Sequence, residues 1–136
     1  MGRKIKCGVA PNYIEDLKEN EIFVFGSNLQ GVYGVGLLYL LGVFGAIWGQ
    51  GVGLRGQSYG IPTMQGGVDT IKPYTDGFIA FAKEHTELNF LVTKIGCDIA
   101  GFKEKDIAPL FTDAIGLFNV SLPQELIDII VRINNI

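Results

Sequence analysis

Histidine and cysteine are almost missing from this chain. It has one His and two Cys in 136 residues, and His85 lies in the charged segment Lys83-Glu84-His85-Thr86-Glu87. A zinc site draws its ligands from clusters of such side chains, so no metal site is expected. Cys7 and Cys97 sit in unrelated contexts and form neither a CxxC pair nor a disulfide framework, which points to a reduced, cytoplasmic setting. An excess of positive charge is also lacking. Eleven Lys and Arg face fourteen Asp and Glu, for a net charge of −3, and no basic stripe is present, so nucleic acid is not an expected partner. No apolar segment follows Met1-Gly2-Arg3-Lys4-Ile5-Lys6-Cys7, and no signal peptide is visible. Without a repeat, linker or low-complexity tail, residues 1–136 read as one domain.

The most informative absence is local. From Ile22 to Leu54 there is no Lys, Arg, Asp, Glu or His. The middle of this stretch, Val32-Tyr33-Gly34-Val35-Gly36-Leu37-Leu38-Tyr39-Leu40-Leu41-Gly42-Val43-Phe44, reads as a helix. At about 100° per residue, Leu37, Leu38, Tyr39 and Leu40 point to all four quadrants. A helix on the outside of a soluble domain needs one wet face, and this one has none. Its outer side is therefore expected to be covered by a second copy, another protein or lipid. The expected contact set is Val32, Tyr33, Val35, Leu37, Leu38, Tyr39, Leu41 and Phe44. A membrane span is the less favoured cover. The run from Val32 to Trp48 is near the lower length for spanning, is broken by glycines, and has no flanking Lys or Arg until Arg55.

The apolar share of 48% and the 19 glycines are both high for a soluble domain. Along the chain, Ile22-Phe23-Val24-Phe25 reads as a buried strand running into Gly26-Ser27-Asn28. Ala46 to Leu54 is too Gly-rich for a long element, and Ser58 to Thr63 reads as a short strand broken by Pro62. Thr70 to His85 has helical spacing, with Ile71, Tyr74, Phe78, Phe81 and Ala82 on one face and Pro73 expected in the first turn. Asn89 to Ile95 is the clearest strand. Asp106 to Phe118 reads as a helix, Asn119 to Leu122 as a late strand, and Pro123 to Ile133 as a closing helix with Leu126, Ile129, Ile130 and Ile133 inward. Strands alternating with helices predict an α/β class with a mostly parallel, mixed sheet flanked by helices.

Two strand-to-loop-to-helix units stand out. One carries Gly26, Ser27, Asn28, Gly34 and Gly36, and the other carries Gly96, Cys97, Ile99, Ala100, Gly101 and Phe102. In parallel sheets ligands sit beyond the carboxyl ends of strands, and Gly-rich loops let backbone N–H groups approach a phosphate. The plainer alternative is that the glycines only turn the chain and Asn28 only caps the turn after its strand. Cys97 has no evident base, and so reads as a packing residue rather than a nucleophile.

The combination Phe25-Gly26-Ser27-Asn28-Leu29 with Gly31, Gly34 and Gly36, then Gly45-Ala46-Ile47-Trp48-Gly49-Gln50-Gly51 through Gly60-Ile61-Pro62-Thr63, then Phe90-Leu91-Val92-Thr93-Lys94-Ile95-Gly96-Cys97-Asp98-Ile99-Ala100-Gly101-Phe102, resembles a phage- and bacteria-associated family of macro-domain-like proteins. The resemblance covers about Asn20 to Leu122. It implies a three-layer macro-domain-like fold and binding of ADP-ribose or a related nucleotide, with Asn28 facing the ribose or acting in catalysis. It also implies that the loop from Gly96 to Phe102 cradles phosphate.

The departures are one-sided. Where the family usually reads Gly-Arg-His-Gly-Ala-Gly-Ala-Ala, this chain has Gly31-Val32-Tyr33-Gly34-Val35-Gly36-Leu37-Leu38, and Asp98 stands where the phosphate loop usually has Gly. A carboxylate there repels a pyrophosphate. The exchange of polar for large apolar residues, with Gly60, Gly77 and Gly116 at positions where a stiffer residue is ordinary, points to a redesigned scaffold. The alternative is a natural divergent member with a buried first helix. The expected function is a protein–protein assembly module, a homo-oligomer or a pair with a second designed chain. ADP-ribose binding or ADP-ribosyl hydrolysis is the alternative. Weak or absent catalysis is expected, and no cofactor.

Overall fold

The computed structural model describes residues 5–11, 17–27, 53–55, 57–63, 66–93 and 103–135. Strand β2 (Glu21–Ser27) is its centre. Ile22, Phe23, Val24 and Phe25 are all buried, as a strand with neighbours on both edges and cover on both faces requires. It pairs in parallel with β4 (Ser58–Pro62) on one side and with β5 (Asn89–Val92) on the other. Beyond β5 lie β6 (Val120–Leu122) and then β1 (Gly8–Val9), both parallel. Beyond β4 lies β3 (Gly53–Arg55), the antiparallel edge. The six-stranded order is β1-β6-β5-β2-β4-β3, an α/β fold with a mostly parallel mixed sheet flanked by helices.

Alternation along the strands divides the side chains between two faces. Ile22, Val24, Tyr59, Ile61, Phe90, Val92, Val120 and Leu122 join one apolar core with the helices. Phe23 and Phe25 point the other way. Their rings stack at 6.2 Å, and they are 4% and 2% exposed, so β2 is covered on its second face as well.

Helix α1 (Val68–Glu84) supplies Ile71, Thr75, Phe78, Ile79 and Ala82 to the first face. Phe78 is its hub, with ring centroids 5.2 Å from Tyr59, 5.4 Å from Phe90 and 6.3 Å from Phe111. The helix begins earlier than the spacing suggests. Gly67 caps it in an extended conformation, and its carbonyl accepts from the Thr70 N–H at 3.0 Å and the Thr70 hydroxyl at 2.6 Å. Pro73 therefore falls inside the helix rather than in its first turn. The missing N–H leaves the Asp69 carbonyl without its helical partner, and this is tolerated because Asp69 and Pro73 are both exposed to solvent.

The segment expected as one helix from Asp106 to Phe118 is two elements. Helix α2 (Glu104–Ile107) is a single turn, and a 3-10 helix (Ala108–Gly116) follows it. Pro109 cannot donate to the carbonyl four residues back, so the ladder tightens to three-residue spacing. Gly116 is the last residue of that 3-10 helix and not an interior one. Helix α3 (Gln124–Ile133) buries Leu126, Ile127 and Ile130. Ile129 is half-buried, and Ile133, expected inward, is 54% exposed in the last turn. Among the described residues, no helix is long and apolar enough to cross a membrane.

Candidate functional site

Strands β2, β4 and β5 run in one direction, so their carboxyl ends share one edge of the sheet. Gly26 and Ser27 close β2 opposite Ile61 and Pro62 of β4. On the other side Val24 is in register with Val92. One residue further, Thr93 ties the two strands together. Its N–H and its hydroxyl both donate to the Val24 carbonyl, at 3.1 and 2.9 Å. Thr63 follows β4 and is buried.

The connections that leave this edge diverge. The chain leaving β2 re-enters the sheet at β3 and β4, on one side. The chain leaving β5 re-enters at β6, on the other. A crevice outside the carboxyl ends of two strands whose connections part in this way is the usual ligand position in open α/β sheets. Both Gly-rich segments singled out in the sequence leave from these two strands. The described rim is Gly26, Ser27, Pro62, Thr63 and Thr93, and none of these ionises. It carries backbone groups with the hydroxyls of Thr63, which is buried, and Thr93, which donates to Val24. It offers no acid, base or strong nucleophile.

Of the residues expected at a ligand site, Gly26 and Ser27 are placed at the rim. Asn28, Gly34, Gly36, Gly96, Cys97, Ile99, Ala100, Gly101 and Phe102 lie outside the described residues. So do the expected contact residues Val32, Tyr33, Val35, Leu37, Leu38, Tyr39, Leu41 and Phe44. Thr63 and Thr93 had not been assigned to a site. The signal that marks them is a hydroxyl residue directly after β4 and after β5, at Pro62-Thr63 and Val92-Thr93.

Other reactive side chains among the described residues include His85, Cys7 and Tyr59. His85 is not simply solvent-facing. It closes α1, lies half-buried with its ring 4.1 Å from that of Phe81, and its Nδ1 is 3.1 Å from Glu87 Oε1. Cys7 is half-buried and free, and burial pushes its thiol pKa up, against nucleophilic use. Burial also raises the Tyr59 phenol, whose ring packs edge-on against Phe78. Among the described residues, no cluster of His, Cys, Asp or Glu fits a metal ion.

No protein-family model, curated protein or solved structure matches this chain.

Proposed function

We propose that the chain is a ligand-binding domain of the three-layer, macro-domain-like type, with its site in the crevice outside the carboxyl ends of β2 and β5. The ligand class is ADP-ribose or a related nucleotide. The observation that carries this reading is the divergence of the connections from two adjacent parallel strands, with a Gly-rich segment continuing from each. Further support comes from the rim, where neutral hydroxyls and backbone groups fit a ribose and a phosphate held by N–H donors. Asn28, the residue after Ser27, is the side chain expected to meet the ribose. Asp98 weakens the hold on a pyrophosphate, and Val32 and Tyr33 in place of Arg and His argue against fast turnover. Calorimetric titration with ADP-ribose tests the proposal. Saturable heat at micromolar ligand, weakened about tenfold or more by Asn28→Ala, is the expected result. The absence of heat at millimolar ligand rejects it.

A second reading, self-assembly through the apolar run, rests on a separate observation: no Lys, Arg, Asp, Glu or His occurs between Ile22 and Leu54. Burying a handful of leucines at ~1.5–3 kcal/mol each competes well with the ~4–15 kcal/mol lost on association. Leu38→Glu with Leu41→Glu is expected to turn an oligomer into a monomer by light scattering. An unchanged mass removes this reading and leaves the first intact.

A further inference from the structure

No further inference is drawn: the strongest candidate, the exposed apolar side chains Ile5, Phe118 and Ile133 on the amino-terminal segment, the turn before β6 and the end of α3, carries nothing because nothing in the structure shows what covers them.

Discussion

Asn119 shows how a single side chain can fix the position of a helix. It is buried, and its Nδ2 donates to the carbonyls of Ala82 and His85, at 2.9 and 3.2 Å. These carbonyls belong to the last turn and cap of α1, where helical partners run out. The contact also sets the start of β6, because the Asn119 carbonyl accepts from the Phe90 N–H at 2.8 Å. Each carbonyl keeps a backbone donor, the His85 N–H at 3.3 Å on Ala82 and the Leu88 N–H at 3.1 Å on His85, so Asn119→Ala removes two hydrogen bonds worth about 0.5–1.5 kcal/mol each and is expected to cost about 1–3 kcal/mol in urea unfolding. A change below a few tenths contradicts this role. Gly77 predicts the opposite sign. It lies on the exposed face of α1, and a Cβ there meets nothing within 4 Å. Gly77→Ala is therefore expected to stabilise the chain by about 0.5–1 kcal/mol. If the glycine instead makes room for a partner, the same change weakens assembly, which sizing detects.

Cys7 gives a residue-scale dependence on pH. Its pKa is raised by burial, so the fold favours the neutral thiol. That contribution is complete below the pKa of a free thiol and is lost as pH climbs through the higher folded value. Alkylation with iodoacetamide in a Cys97→Ser background is expected to be slower for the native chain than for the chain in denaturant, at one mildly alkaline pH. Equal rates contradict the assignment.

At the scale of elements, local periodicity made much of the fold legible. The apolar run in β2, the spacing of Ile71, Phe78 and Ala82 in α1, and the late strand before α3 all follow from side-chain pattern. Strands β1 and β3 do not. They are two and three residues long and exist because β6 and β4 present unpaired edges to them. The change from α2 to a 3-10 helix turns on one missing donor at Pro109, which apolar spacing does not register. For the site, Gly26 and Ser27 were readable as a strand end. That β2 lies beside β5 was not, because the contact of Thr93 with Val24 joins residues 69 apart in sequence. That contact is testable. Thr93→Val keeps the branched shape and the backbone N–H but removes the hydroxyl donor. It is expected to cost about 0.5–1.5 kcal/mol and to weaken ADP-ribose binding without abolishing it. Unaltered stability and affinity together would separate Thr93 from the crevice.

Over the whole molecule, the central strand β2 is buried on both faces. The helices of the described chain cover the face carrying Ile22 and Val24, while Phe23 and Phe25 are buried on the opposite one. The apolar run lies between β2 and β3 in sequence, outside the described residues. The two functional readings differ in how stability responds to concentration. A ligand-binding monomer has a Tm independent of chain concentration. ADP-ribose raises its stability by RT ln(1 + [L]/Kd), about 2.7 kcal/mol when ligand is in hundredfold excess over Kd. An obligate homo-oligomer without a ligand shows the reverse, a Tm that climbs with chain concentration and ignores ADP-ribose. Scanning calorimetry over a wide range of chain concentration, with and without ADP-ribose, is expected to give the first pattern. The second pattern would reassign the function to assembly.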